Sequence, residues 1–212
     1  MKKDHKYKEQ RKEVARFMRR LYRQGLTTTS GGNISLKVNE DTVLITPSAT
    51  DKGRMNWKEV GIMSILGENL TPELKPSIES ELHLSIYKKN SEVHAIVHAH
   101  PVFASSFTAM KCTINTGLTA EARAICGEPV FVPYALMGSP ELAEVTAEKA
   151  AEADVLLLEN HGILTTGKNL LSAFDKIEVL ENAAKMTLIA DITGRKKGLN
   201  QFRLREIERL FR

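Results

Sequence analysis

Val93-His94-Ala95-Ile96-Val97-His98-Ala99-His100 is an apolar, partly β-branched run that closes on two histidines with one residue between them. A run of this kind reads as a strand. Side chains alternate faces along a strand, so His98 and His100 point the same way with Cα atoms roughly 6.5–7 Å apart. Two imidazoles held like that can bind one metal ion. A pair of partly exposed polar residues at a strand end has the same spacing, and the octapeptide alone does not separate the two readings.

Upstream, residues 79–89 read as a helix behind Pro76 and Ser77, with Ile78, Leu82 and Ile86 on one face. Further back, residues 34–38 alternate like a strand, Asn39-Glu40-Asp41 turns and residues 42–46 return, which makes a hairpin. Residues 8–25 precede it as an amphipathic helix with Val14, Phe17, Met18 and Leu21 on one stripe and Gly25 as a stop. Downstream of the histidines, Pro101 opens a helix that runs through Phe107. Residues 130–132 form a short strand, 140–152 a helix, 155–158 a buried strand, and 162–166 its continuation after a break. Residues 170–193 are a long helix and 204–211 a short last one. Strands and helices mix without the strict alternation of a doubly wound sheet. The fold class is therefore α/β, with a largely antiparallel sheet covered by helices. Repeats, low-complexity segments and linkers are absent from the sequence, so residues 1–212 read as a single domain.

A chain of 212 residues with 42% hydrophobic content can bury a proper core. No apolar run approaches the roughly 20 residues of a bilayer crossing. Met1-Lys2-Lys3-Asp4-His5-Lys6 leads into more charge, with no apolar signal segment behind it. Cys112 and Cys126 lack metal-ligand or redox spacing. A cytoplasmic, reduced, soluble protein is expected, without a membrane partner. The net charge of +4 is modest, and its basic residues gather in the first helix and the tail, where Arg195, Lys196, Lys197 and Arg212 lie. These read as solvated helix faces, because no nucleic-acid-binding module accompanies them.

His161 follows the strand at 155–158 and precedes Gly162, a position from which it can project into a cleft. With His98 and His100 it completes a three-histidine set, a known catalytic zinc arrangement. His5 lies in the terminus, and His83 and His94 read as structural. Glu79 sits in the first turn of its helix, where the dipole favours a carboxylate. The same position suits a ligand or general base beside a metal. Ser30-Gly31-Gly32-Asn33 can wrap an anion with backbone N–H groups, or simply turn the chain. Ser48 and Ser77 add hydroxyls at loop ends, and Lys52 and Arg54 either assist a phosphate or face solvent.

Ser30-Gly31-Gly32-Asn33-Ile34-Ser35, Ile45-Thr46-Pro47-Ser48, Lys75-Pro76-Ser77-Ile78-Glu79, His98-Ala99-His100 and Asn160-His161-Gly162, in that order, resemble the class II aldolase/adducin family over about residues 13–190. No single string is decisive, but five in order at compatible separations are specific. The resemblance implies a three-layer α/β/α domain around a central, mainly antiparallel sheet. It implies one zinc ion (Zn2+) per subunit, held by His98, His100 and His161. Glu79 would ligate the resting metal and serve as acid/base in turnover. Gly32, Asn33, Ser48, Ala49, Ser77 and Ile78 fall at positions that surround a substrate phosphate. A homotetramer with active sites at subunit interfaces is implied as well.

The pattern is nearest to the family's L-fuculose-1-phosphate aldolases. The implied reaction is cleavage of a ketose 1-phosphate, such as L-fuculose 1-phosphate, to dihydroxyacetone phosphate and L-lactaldehyde. Breaking a β-hydroxyketone bond needs an electron sink, either a lysine Schiff base or a divalent metal. Three histidines offer the second. Where those aldolases carry Ser-Ser-Glu, this chain has Ser77-Ile78-Glu79, so a phosphate contact at Ile78 must come from its backbone N–H. Their tyrosines, one in the segment matching residues 118–122 and one near the C-terminus, have no counterpart here. The same scaffold carries pentulose-5-phosphate 4-epimerases, which have aspartate in place of Glu79, and methylthioribulose-1-phosphate dehydratases. It also carries the non-catalytic adducin head, which has no need to keep three histidines and a glutamate together.

Overall fold

The computed structural model describes residues 6–195 and 197–211; His5, Lys196 and Arg212 lie outside the described residues. Seven strands form one sheet: β1 (Asn33–Asn39), β2 (Thr42–Ile45), β3 (Gly61–Ser64), β4 (Ala95–Ala99), β5 (Val130–Val132), β6 (Val155–Leu158) and β7 (Gly162–Gly167). Their order is β3-β2-β1-β4-β7-β6-β5. All neighbours are antiparallel except β5 and β6. That pair is parallel because a helix, α5 (Pro140–Lys149), carries the chain back across the sheet between them.

Period-two alternation assigns each strand residue to one of two cores. In β6, Val155 and Leu157 enter one core while Leu156 and Leu158 enter the other; in β4, Ala95, Val97 and Ala99 oppose Ile96. The first core is closed by α1 (Lys8–Arg23), α3 (Val102–Met110), α4 (Ala120–Cys126) and α6 (Leu170–Thr193). The second is closed by α2 (Ser80–Lys89) and α5. Helices therefore cover both faces of a mostly antiparallel sheet, in the expected three-layer arrangement. No helix among the described residues is long and apolar enough to cross a membrane.

Several elements differ from the sequence expectation. β3 and α4 were not foreseen: Gly61-Ile62-Met63-Ser64 is too short to show a period, and pairing with β2 makes it a strand. The final helix, α7 (Gln201–Phe211), starts three residues earlier than expected, and α5 stops at Lys149. What matters for function is the centre of the sheet. There β4 lies between β1 and β7, with Asn33 opposite His98 and His98 opposite Leu164.

Core burial generates a stability prediction. Leu157 is 1% exposed and Leu66 is 85% exposed. Leu157→Ala should lose about 2–5 kcal/mol in denaturant unfolding, whereas Leu66→Ala should stay within about 0.5 kcal/mol of wild type. Equal midpoints for the two variants would contradict this account of the core.

Candidate active site

His98 is the penultimate residue of β4, on the face covered by α2, and it is 1% exposed. Its Nδ1–H donates to the Ile163 carbonyl of β7 at 2.9 Å, which leaves the Nε2 lone pair facing away from the sheet. His100 stands one residue past the strand, its backbone N–H bonded to Leu26 O at 3.1 Å and its Nε2 3.0 Å from His98 Nε2. His161 lies in the turn from β6 to β7, where Asn160 takes a left-handed φ of 54° and the His161 N–H returns to Leu158 O. One ligand atom from each of the three rings lies within 4.8 Å of the others. His83 and His94 stay outside the cluster: His83 bonds Ser35 in the core and His94 is exposed.

Glu79 occupies the residue before α2 rather than its first turn, and its side chain makes no capping bond. It points instead at the histidines. Oε1 lies 3.3 Å from His161 Nε2 and Oε2 lies 3.4 Å from His98 Nε2. Asn33 Nδ2 donates to Oε2 at 2.7 Å, so the first residue of β1 fixes the carboxylate. Burial raises the Glu79 pKa, but the fields of His98 and His161 and the Asn33 bond outweigh it and hold the carboxyl at about 2. Burial, with the neighbouring imidazoles, pushes His100 down to about 3 and His161 down to about 4. An ionised carboxylate beside the neutral imidazoles of His100 and His161 is the protonation state that a cation requires. Glu79 Oε1 and His161 Nδ1 are buried without hydrogen-bond partners. The donor set fits a metal of zinc's type.

Two glycines, not singled out as site residues from sequence, enclose the His100 ring. A Cβ on Gly31 would lie 2.9 Å from His100 Nδ1, and one on Gly162 would lie 2.5 Å from His100 Cδ2 and 2.8 Å from Ala99 O. Among the other expected substrate residues, Gly32 takes a φ of 65° beside buried Asn33. Ala49 is also left-handed at 52°. Ser77 Oγ accepts from the Glu79 N–H at 3.3 Å. The Ile78 N–H, expected to be free for an anion, donates to Ser48 Oγ at 3.1 Å. Lys52 is buried, which overturns solvent exposure as its explanation, while the Arg54 side chain is 91% exposed.

A mixed sheet whose strand ends and adjoining turns gather three imidazoles and a carboxylate is a framework that can hold a metal ion. The chain belongs to the class II aldolase and adducin family: the sequence model described as "Class II Aldolase and Adducin N-terminal domain" matches residues 12–188. It is 34% identical over 179 residues to an L-fuculose phosphate aldolase of Methanocaldococcus jannaschii, covering 84% of this chain and 96% of that one. It is also 34% identical over 184 residues to a 3-oxo-tetronate 4-phosphate decarboxylase of Haemophilus influenzae, covering 84% and 86%. A solved structure of an L-fuculose 1-phosphate aldolase superposes with a TM-score of 0.87 at 29% identity, covering 95% of both chains. The family supports a lyase-type enzyme, class II aldolases are metal-dependent, and the triad can hold a metal ion.

Because Gly162 packs against both His100 and Ala99, Gly162→Ala should displace the ring while leaving the sheet folded. Zinc affinity, measured by competition with a chromophoric chelator, should fall about 10–100-fold, as for other supports of metal ligands. Unchanged affinity in a folded variant would remove Gly162 from the site.

Proposed function

We propose that the protein is a zinc-dependent aldolase that cleaves a ketose 1-phosphate, L-fuculose 1-phosphate in the first instance, to dihydroxyacetone phosphate and L-lactaldehyde. The observation that carries the reading is the convergence of His98, His100, His161 and Glu79 beside the Gly31–Gly32–Asn33 turn. His98, His100 and His161, with Glu79 against them, would hold the zinc, which when bound would supply Lewis-acid stabilisation of negative charge at the ketone oxygen.

The chain's own residues do the rest. Gly32 and Asn33, with Ser48, Ala49 and Ser77, hold the phosphate and so align the reacting carbons, while the Ile78 N–H supports the Ser48 hydroxyl. Cleavage breaks the C3–C4 bond. The electron pair stays on C3, the C4 hydroxyl gives up its proton as the aldehyde forms, and C3 gains a proton. Glu79 moves that proton at C3. Asn33 holds Oε2, which leaves Oε1 as the oxygen free to act.

A second reading is decarboxylation of a 3-oxo acid phosphate. Loss of carbon dioxide next to a ketone leaves the electron pair on the same kind of carbon and needs no acceptor for a hydroxyl proton. The absence of a tyrosine at residues 118–122 favours it, as does the decarboxylase relative.

Zinc-loaded protein incubated separately with L-fuculose 1-phosphate and 3-oxo-tetronate 4-phosphate should release dihydroxyacetone phosphate from the first, and a chelator should stop it. Glu79→Gln, reloaded with zinc, should lose at least about 100-fold in turnover. Release from the second substrate alone would establish decarboxylation, and release from neither would sink both readings.

The same reading makes the protein a cytoplasmic homotetramer with active sites at subunit interfaces. Exposed Ile78, Tyr134, Leu136 and Met137 support it, since Gly138 packs on the Ile78 backbone next to Glu79. Light scattering should give about four times 23.6 kDa; the monomer mass would refute the assembly.

A further inference from the structure

Lys52 stands in a polar loop, yet it is 1% exposed and ranks among the largest fully buried side chains. Its Nζ donates to Pro47 O at 2.6 Å and reaches Thr50 Oγ1 at 3.5 Å. Those two residues flank Ser48 and Ala49, so the ammonium fills the inside of the 47–50 turn. The Lys52 backbone N–H donates to Thr29 O at 2.9 Å, which ties this turn to the loop carrying Gly31, Gly32 and Asn33. Ser48 makes the third join, giving its N–H to Lys75 O and accepting from the Ile78 N–H. The 47–50 turn and the glycine loop therefore meet at Lys52, and the third segment assigned to the phosphate joins them through Ser48.

The lysine lacks a counter-charge. Asp51 turns to Arg54 and to the Gly53 N–H. Glu59, whose field favours the charged amine, is held by the Asn56 N–H and Nδ2. Among the described residues, no carboxylate forms an ion pair with Lys52. A buried charge is costly unless it is paired. Burial pushes the amine down to about 8, with Glu59 pulling the other way, so the ammonium remains the main form at neutral pH. Enclosure also closes the amine to a carbonyl carbon, which excludes a Schiff-base role.

We propose that Lys52 is a positioning and specificity-determining residue for phosphate: its ammonium supplies the buried positive charge behind the 47–50 turn, and the substrate's phosphate dianion is its counter-charge. The inference rests on reading that turn and the glycine loop as the phosphate cradle. Lys52 does not touch the anion. It acts through its field, and by holding the Pro47 carbonyl oxygen toward itself rather than toward the phosphate.

The test compares zinc-loaded wild type, Lys52→Gln and Lys52→Arg, each titrated calorimetrically with inorganic phosphate and with dihydroxyacetone phosphate. Glutamine keeps a donor for Pro47 O without the charge, and arginine keeps the charge. Lys52→Gln should weaken both ligands about tenfold or more, the effect of one unit charge at this range in a partly screened site. Its zinc affinity should be unchanged, and Lys52→Arg should retain most of the phosphate affinity. Equal phosphate affinity in wild type and folded Lys52→Gln would overturn the role of Lys52 and leave the cradle standing. A parallel loss of zinc would mark a merely structural lysine and overturn it too. Wild type that binds neither ligand would overturn both the lysine and the cradle. Should Lys52→Gln fail to fold, a wild-type crystal grown in phosphate decides. An anion within about 8 Å of Nζ, one Debye length, upholds the proposal, and one bound elsewhere refutes it.

Discussion

The register of β4 between β1 and β7 is the constraint on which the site depends. Pairing places Asn33 opposite His98 on one side and Leu164 opposite His98 on the other. A slip of one residue would send His98 to the opposite face of the sheet, among the apolar residues of α1 and α6. The hydrogen bond from His98 Nδ1 to Ile163 O then selects which ring nitrogen is left for a cation. Asn33, from the other neighbouring strand, fixes the carboxylate that faces that nitrogen. Three adjacent strands thus determine the geometry before any loop contributes.

Helix α2 is held to this register by a ladder of polar contacts within an otherwise apolar face. Asn33 meets Glu79, and two residues along β1 Ser35 meets both His83 and Tyr87 at 2.6 and 2.7 Å. The strand advances by two residues while the helix advances by four, so each rung repeats the same pair of faces. Burial keeps His83 neutral by pushing it down to about 3 and raises the Tyr87 hydroxyl. A fully apolar interface would bury as much surface without fixing how far α2 slides along β1. Directional bonds fix it, and with it the distance from Glu79 to the histidines.

The histidine strand, the hairpin, the long α6 and the two-sided helical cover were legible because each repeats a period over enough residues to be read. Clustering of His98, His100 and His161 was legible through spacing and motif order. Other features were written in tertiary contacts alone. The motif names Glu79 as a ligand and acid/base, but its position before α2 rather than in the first turn, and its direction toward the imidazoles, come from the packing of α2 against β1. For Lys52, phosphate assistance and solvent exposure both stay open in the sequence, because burial has no local signature in a loop of polar residues. Gly31 and Gly162 read as turn formers, yet their positions matter for what a side chain would strike, the ring of His100.

This division also bears on why relatives named for an aldolase and for a decarboxylase share the fold at the same 34% identity to this chain. Aldol cleavage of a ketose 1-phosphate and decarboxylation of a 3-oxo acid 4-phosphate leave the same phosphorylated three-carbon fragment, with electrons on the carbon beside its ketone. On the proposed reading, the metal, the carboxylate and the phosphate cradle would all act on that retained fragment. Only the departing group differs. Ile78 is 54% exposed at the mouth of the cradle: its side chain faces outward while its N–H stays bonded to Ser48. On the proposed reading, chemistry at the central strand ends is held by register, and substrate choice is left to the surface that register does not constrain.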